Sequence, residues 1–203
     1  MIALLDYGAG NVRSVQKALT AAGADVRLEK SPEGVVKADA VVLPGVGAFD
    51  DCVNAMQRQE LFSAAKDFIA TGKPFLGICV GYQALFENSE EFNSCAAGLG
   101  VFDGSVVRFS ENALKVPQIG WNQIAITQPD CPILKGFDSG SHFYFVHSFF
   151  PKPIDKTIVA TRTTYGETFA SAVWRDNVFA TQFHPEKSQK AGLKLLKNFV
   201  GLA

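Results

Sequence analysis

The sequence predicts an α/β fold, an open and mostly parallel sheet with helices on both faces and antiparallel strands added in the second half. Three observations carry that expectation. Short apolar runs alternate with helix-period stretches through the first half, the second half turns to segments of strand character bounded by turn residues, and the final stretch returns to helical spacing. "IALLD" (2–6) reads as a buried strand, followed by a glycine turn and a helical stretch over 12–23. "DVRLE" (25–29) and "DAVVLPG" (39–45) read as two further strands, the second ending at Pro44-Gly45. Residues 49–72 keep a helical pattern up to Gly72, and "KPFLGI" (73–78) is a strand that runs into Cys79 and a short helix.

Beyond that point the expected strands are 98–109, 122–128, 141–150 and 171–184, with Asp176-Asn177 marking a hairpin turn. A last helix is expected to start at Ser188 as N-cap and to bury Leu195, Leu196, Phe199 and Val200 on one face. No internal repeat, low-complexity tract or Gly/Ser linker divides the 203 residues, so a single domain over 1–203 is expected.

Charge and composition exclude several classes. With 19 Lys and Arg against 20 Asp and Glu, the chain lacks the basic excess of a nucleic-acid or anionic-membrane partner. No run of eighteen apolar residues is present for a membrane span. The opening "MIALLDYGAGN" has no basic region and meets Asp6 early, so it reads as a first strand and not as a signal peptide, which points to the cytoplasm. Cys52, Cys79, Cys95 and Cys131 are scattered, with no C-x-x-C pair and no histidine cluster nearby, so neither zinc nor a disulfide framework is expected. No metal or other cofactor is called for. Three of these cysteines read as small buried hydrophobes or loop residues.

Cys79 is different. Gly77-x-Cys79-x-Gly81, placed after a strand, is the cysteine form of the nucleophile elbow: a tight strand-to-helix turn that lifts the side chain clear of the backbone. Flanking glycines avoid a Cβ collision there, and a helix starting near Val80 aims its dipole at the thiol and favours the thiolate. Gln83, four residues on, shares the helix face that looks toward Cys79. The same pattern also occurs for packing alone, so the elbow needs partners.

A nucleophilic thiol requires a base and a group to orient it. Of His142, His147 and His184, only His184 has an acid at i+2, Glu186. In extended backbone those two side chains project together, and Pro185 keeps His184 out of the helical region. His142 and His147 read as ordinary strand or loop histidines. Acyl transfer also needs donors for an oxyanion: the Val80 amide is one, and "LPGVGAF" (43–49) offers others through Gly45, Val46 and Gly47. No lysine follows that loop as in a phosphate-binding loop, and "GAGNVR" (8–13) places Arg13 where a dinucleotide fingerprint needs its third glycine.

Taken together, "GICVGYQ", "FHPEKS" and "PGVGAF" resemble the class I (triad) glutamine amidotransferases. The resemblance implies a flavodoxin-like sheet and a Cys-His-Glu triad that hydrolyses glutamine to glutamate and ammonia. It casts Cys79 as nucleophile, His184 as general base and acid, and Glu186 as the orienting acid. Val46 and Val80 become oxyanion donors, while Gly45, Gly47, Gln83, Ser148 and Phe149 hold L-glutamine. "DYGAGN", "VPQIGWN" (116–122) and "YFVHSF" (144–149) narrow the resemblance to the family of glutaminase subunits of imidazole glycerol phosphate synthase, over essentially the whole chain. That family implies a heterodimer with a (β/α)8-barrel cyclase. Ammonia passes to the cyclase, which converts a ribulosyl-carboxamide nucleotide (PRFAR) to imidazole glycerol phosphate and the aminoimidazole carboxamide ribotide (AICAR) in histidine biosynthesis.

By the same resemblance, Asn11, Trp121, Asn122, Tyr144 and Lys187 lie at the cyclase interface. The chain departs from the family at Gln118 and Ile119, where histidine and methionine are common, at Phe149 in place of tyrosine, and at Val80 and Tyr82. The flanking glycines of Gly45-Val46-Gly47 imply a switch in which the Val46 amide is presented or withdrawn. Three other readings stay open at this level: a glutaminase serving another synthase, such as anthranilate or pyridoxal phosphate synthase, a cysteine hydrolase for another amide or ester, and a silent binding module that keeps the elbow as architecture.

Overall fold

The structure is a computed structural model and describes residues 1–8, 11–110 and 114–203. Ala9 and Gly10 of the "GAGN" turn therefore lie outside the described residues. The first half forms β1 (Ile2–Leu5), α1 (Val12–Ala21), β2 (Val26–Glu29), α2 (Pro32–Val36), β3 (Ala40–Leu43), α3 (Phe49–Arg58), α4 (Leu61–Ala70), β4 (Phe75–Ile78) and α5 (Val80–Gln83). Strands β1, β3 and β4 are four-residue apolar runs buried along their whole length, as strands covered on both faces must be.

The second half contributes β5 (Asn88–Ser89), β6 (Gly104–Arg108), β7 (Gln118–Gln123), β8 (Ala125–Ile126), β9 (His142–His147), β10 (Phe149–Pro153), β11 (Val159–Tyr165), β12 (Glu167–Arg175), β13 (Val178–Thr181) and α6 (Gln189–Val200). The main sheet runs β2-β1-β3-β4-β13-β12-β11-β8. Its first five strands are parallel, and β12, β11 and β8 extend it antiparallel. The order 2-1-3-4 followed by β13 is the doubly wound arrangement of flavodoxin-like folds. Because β1→β2 and β2→β3 step in opposite directions, right-handed crossovers put α1 on one face and α2 to α4 on the other. The packing agrees: α1 lies against α6, and α2 and α3 lie against α4.

The second half departs from the sequence reading in instructive ways. Of the strands expected there, only the 171–184 segment enters the main sheet as more than a two-residue strand, and it is split into the β12–β13 hairpin at Asp176-Asn177, whose β13 arm runs parallel to β4. Segment 98–109 is a strand only from Gly104, in a separate sheet ordered β10-β6-β5. Segment 141–150 breaks at Ser148 into β9 and β10, and β9 pairs with β7 in a third, two-stranded sheet. The sequence reading missed β11, whose Thr-rich "VATRTTY" carries a weak apolar signal although it pairs on both sides.

The stretch 49–72 holds two helices, because Glu60 takes φ 59° and turns the chain between Arg58 and Leu61. Ser188 precedes α6 but makes no side-chain cap; its hydroxyl bonds elsewhere. Leu195, Leu196 and Phe199 are buried as expected, whereas Val200 is only half-buried against the core.

Candidate active site

Cys79 sits at the carboxyl end of β4 and Gln182-Phe183-His184 at the carboxyl end of the neighbouring parallel strand β13. This is the edge where open α/β sheets present their sites. The two strands are tied there by the Cys79 amide, which donates to Thr181 O at 2.8 Å. Alternation then sorts the side chains: Phe183 turns into the core and stacks on Phe143 at 4.2 Å, while Gln182 and His184 face the cysteine side.

The elbow has the strained backbone its sequence implies. Cys79 holds φ 56° and ψ −109°, a region costly for any residue with a Cβ. What forces the turn is crowding against the end of β3. A Cβ on Gly81 would lie 2.1 Å from Leu43 O, and one on Gly45 would lie 2.4 Å from the Gly81 nitrogen. The 43–47 loop and the elbow therefore interlock through two glycines, which sets Val46 and Val80 beside each other around the sulfur.

His184 Nδ1 and Glu186 Oε1 are 2.8 Å apart, and both side chains are 1% exposed. They meet through a single 3-10 turn (Pro185–Lys187) that follows an extended His184, rather than along a continuous strand. The backbone of the turn is pinned from two sides. His184 N donates to Tyr144 O at 2.9 Å, and the Ser188 hydroxyl donates to His184 O while accepting from Tyr144 N. Ser188 is thus a bridge to β9.

With Nδ1–H held by the carboxylate, Nε2 is left to face the thiol. Its approach to Cys79 is looser than a formed hydrogen bond, a common state before substrate binds. Burial works against an imidazolium here. The facing Cys79 sulfur, by charge, and then Glu186, by hydrogen bond and charge, outweigh that penalty and push His184 up to about 10.

The pocket over the sulfur has a volume of about 370 Å³, the size range of small-molecule sites. Val46, Gly47, Val80, Gln83, Ser148, Phe149 and Lys187 all line it together with Cys79 and His184. Gly45 lies beneath, against Gly81. Two of the expected glutamine contacts are partly committed elsewhere: Phe149 O accepts from Gln83 Nε2 at 3.0 Å, and Ser148 O accepts from Phe109 N.

Sequence reasoning overlooked three residues. Glu91 is the one carboxylate among the described lining residues, and its Oε2 accepts from Phe49 N at 2.8 Å, at the start of α3. Burial, with Asp50 and Asp51 adding to it, raises Glu91 above the usual carboxylate range despite that bond. Tyr7, in the "DYGAGN" segment, donates its hydroxyl to Pro44 O at 2.8 Å and so anchors the peptide just before the 45–47 loop. Burial, reinforced by Cys52, raises its phenol and keeps it a donor. Gln182 donates to the Cys79 sulfur. Nothing but its place two residues before His184 marks it in the sequence.

The expected partner residues are less uniform. Trp121 and Tyr144 pair across β7 and β9 with rings 6.1 Å apart, and Lys187 Nζ lies 5.9 Å from the Tyr144 ring centre. Trp121 is 46% exposed. Asn122, by contrast, spends its carboxamide on Thr164 O, tying β7 to β11. Asn11 precedes α1 and lines a separate cleft with Asp6 and Arg13, not this pocket.

The model of the class-I glutamine amidotransferases matches residues 3–202. The chain belongs to that family. Among curated proteins it is 50% identical, over 205 residues and 98% of both chains, to the imidazole glycerol phosphate synthase subunit HisH of Syntrophotalea carbinolica. It is 48% identical to the protein of that name from Acinetobacter baylyi, covering 98% of this chain and 97% of that one. Among solved structures, PurLQS from Thermotoga maritima superposes with a TM-score of 0.76 at 19% identity, over 98% of this chain and 97% of that one. The glutaminase domain of a Trypanosoma brucei CTPS superposes with a TM-score of 0.69 at 14% identity, over 100% and 94%. These two likenesses speak to the fold.

Proposed function

We propose that this chain is the glutaminase subunit of imidazole glycerol phosphate synthase, acting as one amidotransferase domain over 1–203 in the cytoplasm. The observation that carries the chemistry is His184, held from behind by the buried Glu186, sharing one pocket with a strained Cys79. The choice of synthase rests on full-length similarity to subunits of that name.

In this reading the Cys79 sulfur attacks the δ-carbonyl carbon of L-glutamine. The oxyanion of the tetrahedral intermediate is held by the amides of Val46 and Val80. His184, protonated at neutral pH, gives the Nε2 proton to the leaving nitrogen, and ammonia departs as the thioester forms. Water then attacks the thioester with Nε2 taking its proton, and glutamate leaves as the C–S bond breaks. Glu186 stays ionised and holds the ring throughout. Gln83, Ser148, Phe149 and the Gly45–Gly47 loop shape the glutamine pocket. Glu91 pairs with the α-ammonium of the substrate, since an amino acid brings a cation and Glu91 is the acid lining the site.

The half-exposed Trp121, with Tyr144 and Lys187 at the rim, faces the barrel cyclase. Asn11, in its separate cleft, and Asn122, bonded to Thr164 O, are assigned to that interface by the family resemblance alone. Across it, ammonia passes to the cyclase for conversion of PRFAR to imidazole glycerol phosphate and AICAR. The Val46 amide is the element that turns in and out. Tyr7 fixes the Pro44 carbonyl on one side, and Gly47, at φ 93°, gives the freedom on the other.

The test is glutamate release by the purified chain, alone and with the cyclase plus its nucleotide ligand, using Cys79→Ala as blank. Stimulation that disappears in the variant is expected. Cys79-dependent turnover indifferent to the cyclase would assign the subunit to another synthase, and no Cys79-dependent turnover would overturn the reading.

A further inference from the structure

Gln182 is fully buried, and its Nε2 lies 3.7 Å from the Cys79 sulfur. An amide presents either a donor or an acceptor to a neighbour, and only the donor suits a sulfur that must carry negative charge. The orientation is decided at Phe149, through Gln83. Phe149 O is a main-chain carbonyl, which accepts and never donates. It therefore fixes the Gln83 amide with its NH2 pointing in, at 3.0 Å. The second N–H of that NH2 goes to Gln182 Oε1 at 3.3 Å, which leaves the Gln182 NH2 facing the sulfur. His147 Nδ1, 2.8 Å from the same carbonyl, keeps Phe149 O in place.

We infer that Gln182 is a further functional residue of this site: it donates an N–H to the Cys79 thiolate, and the Phe149 carbonyl, acting through Gln83, dictates that a donor and not an oxygen meets the sulfur. The inference rests on Cys79 being the nucleophile, as proposed above. It also restricts Gln83, whose two N–H groups are spent within the protein, so that only its Oε1 remains for substrate. A donor of this kind stabilises the thiolate before attack and again when the sulfur leaves the acyl carbon. It is not consumed in either step.

The experiment is the pH dependence of Cys79 alkylation by iodoacetamide, followed on the Cys79 peptide by mass spectrometry because the sequence holds three further cysteines, Cys52, Cys95 and Cys131. The full chain is compared with Gln182→Met, of similar size but without a donor. The other titratable groups around the sulfur, His184, Tyr7 and Cys52, and those that line the pocket with it, Glu91, His147 and Lys187, are retained. The alkylation midpoint is expected to rise by about one to two pH units, as for loss of a hydrogen bond to a charged group. The value of kcat should fall about tenfold or more, with KM changed less. A folded Gln182→Met with an unmoved midpoint overturns the inference, whatever its kcat.

If that variant does not fold, Gln83→Met decides by the same readout, since freeing the Gln182 amide should also raise the midpoint and an unmoved midpoint again overturns the inference. Alkylation needs no glutamine. A shifted midpoint in a protein without glutaminase activity would thus sink the proposed function and leave this inference standing.

Discussion

At the residue scale the site is a set of directed protons. Glu186 holds Nδ1 of His184, so replacing it by glutamine keeps the shape but lets the ring settle in the wrong tautomer. Glu186→Gln should lower kcat by about 10²–10⁴ with little change in KM, measured by initial rates of glutamate release. Glu91 makes the opposite prediction. If it meets the α-ammonium, Glu91→Gln raises KM for glutamine while kcat holds, and the discrimination against an α-N-acetylated glutamine narrows. A kcat loss at unchanged KM would remove Glu91 from substrate binding. The sequence made Cys79, His184 and Glu186 legible because each carries a local signature, glycines flanking a cysteine or an acid two residues from a histidine. Tyr7, Glu91 and Gln182 were not legible. Each acts across 37 or more residues of chain, on Pro44 O, Phe49 N and the Cys79 sulfur, and no spacing rule reaches that far.

At the element scale the interlock of the elbow with the end of β3 is the feature most exposed to a single change. Gly81→Ala would drive a Cβ to within 2.1 Å of a main-chain oxygen that has no flexible way to retreat. We expect it to cost about 1–3 kcal/mol in urea unfolding, and to abolish activity even where the chain still folds, because Cys79 and the 45–47 loop move together. A fully active, equally stable Gly81→Ala would show that the two segments do not depend on each other. The parallel half of the sheet was readable because β1, β3 and β4 are continuous apolar runs separated by helices. The second half was not, for a physical reason. Its strands are short, and they distribute among three sheets. Alternation in "HFYFVH" tells which side chains are buried but not which sheet buries them. The break at Ser148 that sends β9 and β10 to different sheets leaves no mark in the apolar pattern. Helices α3 and α4 were read as one because Glu60 is not a glycine and gives no warning of its positive φ.

At the scale of the whole molecule, two buried histidines tie stability to pH in opposite senses. His184 is raised to about 10, so its contribution is complete below about 6.5, its unfolded value, and is lost as pH rises toward 10. His147 is pushed down to about 4, by burial first and by His184 as well, against the hydrogen bond to Phe149 O. Its contribution is complete above about 6.5 and is lost as pH falls toward 4, where the unfolded chain takes up a proton that the folded one refuses. Urea midpoints against pH should therefore show an acid limb that flattens in His147→Gln and an alkaline limb that flattens in His184→Gln. Unchanged limbs would mean that these histidines titrate alike in both states.

At the same scale, the proposed function requires that glutamine cleavage feeds a cyclase and does not simply release ammonia. The most direct measurement supplies the reconstituted complex with amide-¹⁵N glutamine, the nucleotide substrate and an excess of unlabelled ammonium, and reads the isotope in imidazole glycerol phosphate. The ¹⁵N content of the product is expected to lie well above the isotope ratio of the bulk ammonium, and the excess to be lost in Cys79→Ala. Product that carries only the bulk isotope ratio, or no product at all in spite of Cys79-dependent glutamate release, would contradict the proposed function.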